Sequence, residues 1–279
     1  MTTPKRRSVS QLSSYASCGE AYRLQRVARA PQRPAAWFTH GKAAHHGIEE
    51  FEKNRRTQSS KEIQSIVESY YTEEIGKTRE QWPDEAAWMV GGRKSGWKDI
   101  EDRLGQAIWQ VNDYQRLAKE HEDEWRVIAT ELEFTITLGG VEVYGFIDQL
   151  RKYRDGRVIP VDLKSGSKLP GNAQIQLGTY ALAVEQLMGI PRPTEGIILH
   201  LGRPATAHGK EKPSKDHSYD LTHWTPERLG ALYAQMDTAE RLGLYLPNPT
   251  ADCERTCGLA QYCMVKGHVP SAEQYERKA

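Results

Sequence analysis

The sequence predicts an α/β protein, a β-sheet with helices packed against it. Three observations carry this. From Trp125 the apolar period becomes two: Leu132, Phe134, Ile136 and Leu138 alternate with Glu131, Glu133, Thr135 and Thr137, and Gly139-Gly140 turns the chain back into Val141 to Asp148. Val158-Ile159-Pro160-Val161-Asp162-Leu163-Lys164 is a short strand between the turn signals Asp155-Gly156 and Ser165-Gly166. Apolar stripes at helical spacing lie on both sides of this block.

In chain order, residues 8–27 read as a helix with Ser10 as N-cap, Val9, Leu12, Tyr15, Tyr22 and Leu24 as apolar bulk, and Cys18 inside it. Pro31 and Pro34 break the chain. A second helix starts near Thr39, with Ala44, Ile48 and Phe51 apolar and with His45 and His46 on different faces. Residues 54–125 form a helical insertion. Ser59-Ser60-Lys61-Glu62 fits a capping box ahead of Ile63, Ile66, Val67, Tyr70 and Tyr71. After Pro83 and Gly91-Gly92 comes the stripe Trp97, Ile100, Leu104, Ile108, Val111 and Leu117. These stripes read as core, although Trp82, Trp88 and Trp97 are also residues that stack on unpaired bases.

Asp148 falls at the end of the returning strand, and three consecutive strands place it beside Asp162 in one sheet. Glu131 and Glu133 read as exposed strand residues rather than members of a shared site. Residues 172–188 form a helix stopped by Gly189-Ile190-Pro191, with Gln176 and Tyr180 four apart on one face. A strand follows at Gly196 to Leu201, then a polar, Lys-rich loop from His208 to His217. Tyr219 to Leu221 completes a hairpin. Thr225-Pro226-Glu227 opens a helix to about Tyr245, with Pro at its first position, and Pro247 and Pro249 end it.

The chain has 279 residues, enough for a large core, as one large domain or two small ones. At 38% hydrophobic and 27% charged it fits the globular class. No apolar run is long enough for a bilayer span, and Met1 to Arg7 lacks the apolar stretch of a secretory signal. The expected setting is therefore cytoplasmic, with no membrane partner, and the four cysteines are expected as metal ligands or free thiols rather than disulfides. With 38 basic and 37 acidic side chains, the net charge of +1 neither supports nor excludes nucleic acid. Candidate phosphate contacts are Lys5, Arg6, Arg7, Arg23, Arg26, Lys168 and Lys210-Glu211-Lys212.

Side chains alternate along a strand, so Asp162 and Lys164 share a face opposite Val161 and Leu163. A carboxylate and an ammonium on a buried strand are costly unless paired with each other or with a ligand. Around this pair stand Gly41-Lys42-Ala43-Ala44-His45 opening a helix, Gly145-Phe146-Ile147-Asp148 on a strand, and Gln176-Leu177-Gly178-Thr179-Tyr180 on a helix. This order, G-x-x-x-H, G-x-x-D, D-x-K and Q-x-x-x-Y, resembles the PD-(D/E)XK nuclease superfamily, in particular its RecB-like branch. Cys18 near one end, with Cys253, Cys257 and Cys263 near the other, is similar to the iron–sulfur members, the AddB nuclease domain and the CRISPR-associated spacer-adaptation nuclease. The likeness runs from about Ser8 to Gly267. It departs at one point: three residues, not two, separate Cys253 from Cys257.

The resemblance implies a single nuclease domain over 1–279 with a restriction-endonuclease-like core, a central mixed sheet flanked by helices. It implies a metal-cluster module of Cys18 plus 250–268. It implies metal-dependent hydrolysis of DNA, exonucleolytic on single-stranded ends, with Mg²⁺ or Mn²⁺ held by His45, Asp148, Asp162 and the Leu163 carbonyl. Lys164, Asp162, Asp148, Gln176 and Tyr180 form the catalytic set. The four cysteines hold a 4Fe-4S cluster, with structural zinc as the alternative. The partner is DNA, in a bacterial, archaeal or phage-encoded setting. A second reading is a DNA-binding scaffold, or a subunit working only beside a helicase, recombination factor or CRISPR integrase. The sequence has no P-loop for ATP-driven unwinding.

Overall fold

The computed structural model describes residues 6–92, 95–206, 209–251 and 253–266. A mixed sheet forms the middle layer. Its spine is β3 (Val141–Tyr153), which pairs antiparallel with β2 (Trp125–Leu138) along one edge. Its other edge takes the short parallel strand β1 (Arg7–Ser8) beside Val143 and Tyr144, and then β4 (Val158–Lys164), antiparallel beside Gln149 to Lys152. Beyond β4 lie β5 (Glu195–His200), parallel to it, and β6 (Lys215–Asp220), antiparallel to β5 at the sheet edge.

Helices cover both faces. α1 (Val9–Ser17), α6 (Ala173–Met188) and α7 (Pro226–Arg241) pack with Phe134, Ile136, Val143, Ile147 and Ile198 on one face. α3 (Ala36–Lys53), α4 (Ser60–Gln81) and α5 (Gly96–Glu120) pack with Ile159, Val161, Leu163, Ile197 and Leu199 on the other. The helix starts follow local chemistry. Ser59 and Glu62 cap each other at α4, and Thr225 caps α7 with Pro226 at its first turn. Each such cap contributes about 1 kcal/mol.

Besides β6, which begins at Lys215 inside the expected loop, the structure differs from the sequence reading in four element bounds. The helix expected over 8–27 is capped by Ser8 with Gln11 rather than by Ser10, and it breaks at Cys18. Cys18 is extended (φ −163°, ψ 108°); α2 (Gly19–Tyr22) and a π-helical turn (Arg23–Val27) follow it. The break follows from a long-range contact: the Gly19 N–H donates to the Leu246 carbonyl at 3.0 Å, and a Cβ at Gly19 would meet Leu246 backbone atoms at 2.9 Å. Second, α3 begins at Ala36, ahead of Thr39. Third, Asp148 is not at a strand end, because β3 runs on to Tyr153. That continuation is polar but buried. Arg151 pairs with Asp216 at 2.7 Å and lies 3.9 Å from the Trp125 ring. Fourth, α7 stops at Arg241, short of Tyr245.

The tryptophans of the 54–125 span are packing residues. Trp88 is 4% exposed and donates its indole N–H to the Trp82 carbonyl, while Trp82 and Trp97 pack against the core and Arg79 lies over the Trp97 ring. No helix among the described residues is long and apolar enough to cross a membrane.

Candidate active site

Period-two alternation on β4 sends Val161 and Leu163 into the α3–α5 layer and leaves Asp162 and Lys164 on the opposite face. β3 supplies Asp148, one step along the ladder from the Gln149–Val161 pair. The Leu163 N–H donates to Asp148 Oδ2 at 2.7 Å, which fixes the carboxylate against β4. Gly145, three residues earlier, sits under the Phe134 ring; a Cβ there would lie 2.9 Å from it, so the glycine lets β2 and β3 close together beside the site.

α3 brings His45 to the same point. Its Nδ1 lies 3.6 Å from Asp148 Oδ2, and its ring also contacts the Leu163 main chain. His46, on another face, stacks on Tyr70 at 4.6 Å. α6 closes the site from below. Gln176 Nε2 donates to Asp162 Oδ1 and to Tyr180 Oη, both at 2.7 Å, and Lys164 Nζ donates to Gln176 Oε1 at 3.4 Å. Lys164 Nζ lies 2.6 Å from Asp162 Oδ2. Every residue expected at the catalytic centre is thus within one hydrogen-bonded cluster.

Glu131 belongs to it as well, contrary to the expectation of an exposed strand glutamate. Its backbone is left-handed (φ 45°), a strained conformation for a residue with a Cβ. Its carboxylate comes within 4.8 Å of the ligand atoms of His45 and Asp148. Alternation breaks here: Ile147 packs with the α6–α7 layer, whereas Gln149 bonds to Tyr114 of α5 on the other face at 2.9 Å. Glu133 stays exposed, as expected.

Three carboxylates share this buried point with one cation. Burial raises Asp148 to about 6. Burial and the Asp148 charge raise Asp162 to about 6, and burial with Asp148 and Glu49 raises Glu131 to about 7. Burial lowers His45, leaving a neutral imidazole that can ligate, while the fields of Asp162 and Asp148 outweigh burial and raise Lys164, which stays protonated. Asp162 is 1% exposed and its Oδ2 accepts no aligned hydrogen bond. The site is therefore short of positive charge. His45, Glu131 and Asp148 form a tight nitrogen–oxygen set, and Asp162, paired with Lys164, adds a buried carboxylate beside it. This donor chemistry fits Mg²⁺ or Mn²⁺.

A pH dependence follows. The folded, metal-free protein holds protons on these carboxyls up to about pH 6–7, whereas the unfolded chain releases them near pH 4. The folded state binds more protons in that window, so stability of the metal-free protein falls as pH rises through it. A divalent cation removes the repulsion that causes the fall. The expected result is that Mn²⁺ raises the melting temperature little at about pH 5 and strongly at about pH 8. Equal shifts at both pH values would show that the cation binds elsewhere.

The candidate phosphate contacts, each read singly from sequence as an ordinary solvated charge, fare differently. Arg7 is 3% exposed and paired with Asp237 and Glu240, so it is a structural residue rather than a phosphate contact. Arg6 pairs with Glu142 and lies over Tyr144, and Arg23 forks onto Glu20. Arg26, Lys168, Lys210 and Lys212 are exposed, and Lys5 lies outside the described residues.

Away from this cluster, Cys18, Cys253, Cys257 and Cys263 line one small pocket of about 40 Å³, none of them in a disulfide. Backbone N–H groups point at two of the sulfurs: Asn248 at Cys18 Sγ (3.4 Å) and Thr250 at Cys253 Sγ (3.2 Å). Burial pushes the Cys257 thiol up, and the three other thiols add to the shift. Of the 250–268 span expected for this module, residues 252, 267 and 268 lie outside the described residues.

The chain is 32% identical over 267 residues to the Gene 69 protein of Mycobacterium phage D29, covering 93% of this chain and 96% of the relative. It is 32% identical over 286 residues to the Gene 69 protein of Mycobacterium phage L5, with the same coverage. A solved exonuclease candidate from Eubacterium rectale superimposes with a TM-score of 0.44 at 13% identity, over 98% of this chain and 94% of that one. Residues 6–264 match the PD-(D/E)XK nuclease superfamily, and the chain belongs to that superfamily.

Proposed function

We propose that the protein is a divalent-metal-dependent deoxyribonuclease of the RecB-like branch, an exonuclease acting on single-stranded DNA ends. The observation that carries this reading is the convergence of His45, Glu131, Asp148, Asp162 and Lys164 on one cation-deficient point. His45, Glu131, Asp148, Asp162 and the Leu163 carbonyl would hold Mg²⁺ or Mn²⁺. When bound, the cation would polarise the scissile phosphate and lower the pKa of an attacking water.

The chain's own groups do the rest. Lys164 places a positive charge beside the reacting phosphate, orients the water and stabilises charge on the non-bridging oxygens. Gln176 holds Asp162 through Oδ1 and Lys164 through its own carbonyl, so one amide fixes both. Burial, with the Asp162 and Asp148 charges, raises Tyr180 well above its usual value, so its hydroxyl stays a neutral member of the cluster. The reaction is in-line hydrolysis: a water oxygen bonds to phosphorus, the ester P–O bond breaks, and the leaving oxygen takes up a proton.

The cysteine pocket supports a 4Fe-4S cluster over zinc. Among the described residues, the His/Cys/Asp/Glu groups with ligand atoms within 4.8 Å of one another are His45–Glu131–Asp148 and His46–Glu49–Glu50, and neither includes a cysteine. A zinc tetrahedron with Zn–S of about 2.3 Å has edges of about 3.8 Å. Four thiols lining one pocket match the number that a 4Fe-4S cluster needs, and the N–H groups aimed at sulfur suit it. The phage origin of both curated relatives favours phage DNA metabolism over DNA repair or CRISPR adaptation as the setting.

The test is cleavage of end-labelled single- and double-stranded DNA with Mg²⁺ or Mn²⁺, wild type against Lys164→Ala. Wild type is expected to shorten single strands from an end, and the variant to be at least about 100-fold slower. No cleavage of any DNA by wild type would replace the enzyme reading with the scaffold or partner-dependent one.

A further inference from the structure

We infer that a single strand of DNA lies in the cleft at the carboxyl ends of β4 and β5, with Trp37 stacking on its bases and Arg203, Lys212 and Lys215 on its phosphates. This rests on the nuclease reading above. The cleft has a volume of about 1460 Å³, more than the roughly 300–1,000 Å³ of small-molecule pockets, which suits a polymer. Its lining includes Ser165 to Ser167, the residues that directly follow Lys164, so the cleft opens where β4 leaves the candidate active site. α5 forms one wall. Leu201 to Pro204, Thr206 and Glu211 to Lys215 form another, and Arg255 of the short helix α8 (Cys253–Thr256) brings the cysteine module to the rim.

Charge pairing singles out the phosphate contacts. The cleft's acidic side chains already face cations: Glu101 and Asp102 face Lys98, and Glu211 lies 3.9 Å from Arg116. Arg103 is held by Asp99. Arg203, Lys212 and Lys215 are exposed and make no ion pair among the described residues. Three uncompensated cations along a groove are the electrostatic footprint of a phosphate chain. Stacking supplies the rest. Trp37 lines the cleft at the first turn of α3, edge-to-face with Phe38 at 5.8 Å, and Phe38 is 42% exposed. An aromatic face can stack on any base, but only on an unpaired one, which selects a single strand over a duplex.

The test is fluorescence anisotropy with a labelled oligothymidylate and a duplex of equal length, in EDTA so that no cleavage occurs. Wild type is expected to prefer the single strand. The Lys212→Ala/Lys215→Ala double variant should bind it about tenfold more weakly, with the slope of log K against log salt reduced by about 1.4. Trp37→Ala should bind roughly fivefold or more weakly with an unchanged slope. Melting temperatures near that of wild type show that each variant folds. Wild-type affinity in all variants, or equal affinity for single strand and duplex, overturns the inference. Because no divalent cation is present, the two readings separate. Cleft-dependent binding by a protein that never cuts DNA sinks the nuclease and keeps the cleft. Cleavage by a protein whose cleft variants bind normally does the reverse.

Discussion

Asp162→Asn is expected to abolish cleavage while making the metal-free protein more stable. The two effects have one cause. Asp162 is held ionised at a buried point beside Asp148, and its carboxyl is raised from 3.8 to about 6. At pH 8 the folded state carries that charge at a cost of about 1–3 kcal/mol relative to the unfolded chain. An amide removes the charge and keeps the shape. The same change takes an oxygen anion from the cation site and the counter-ion from Lys164, 2.6 Å away, so the rate should fall by about 1,000-fold or more. Denaturant melts in EDTA at pH 8, with cleavage assays beside them, check both halves. A destabilised variant would mean that Asp162 serves packing, and a variant that still cuts would remove it from the site.

The second large effect is expected at the cysteines. Cys18→Ala and Cys263→Ala should each lower the melting temperature by on the order of 10 °C, and by similar amounts, because the proposed cluster would tie the segment after α1 to the chain beyond α7. The protein prepared without oxygen should be brown, absorbing near ~400 nm, and each variant should be pale. A colourless protein with stoichiometric zinc would remove the iron–sulfur cluster. A silent Cys18 change would show that this thiol does not join the other three.

The sequence displayed the site's chemistry better than its backbone. Asp162 and Lys164 are legible because alternation along a short apolar strand leaves one choice of face. Gln176 and Tyr180 are legible because a four-residue spacing on a helix does the same. His45 and the partition of the cysteines came from the order of motifs rather than from any local property. Glu131 was hidden because its role depends on a left-handed backbone that no propensity favours for glutamate. The break at Cys18 was hidden because its cause, Leu246, lies far along the chain. Asp148 was misplaced at a strand end because Gln149 and Arg151 look like surface residues in sequence, yet each is buried against a distant partner, Tyr114 or Asp216. Sequence patterns report polarity, and polarity fails to report burial wherever a long-range partner satisfies it.

The three neighbours of β3 also set an order of assembly. β2 and β3 are joined by a two-residue turn and pair along nearly their whole length, so this hairpin closes within microseconds and needs no distant residue. β4 adds to it across another short connection. β1 must return from more than 130 residues away to reach Val143, and the chain's two ends meet where the Gly19 N–H donates to the Leu246 carbonyl and where Arg7 pairs with Asp237 and Glu240. These closures carry the largest loop entropy and come last. In native-state hydrogen exchange, the amides of Arg7, Ser8 and Gly19 should therefore exchange through the lowest-energy opening, while those of Val143 to Arg151 wait for global unfolding. Asp148 of the candidate site sits on the slow-exchanging spine, with Asp162 on its neighbour β4, and the cysteine module sits on the fast-opening clasp.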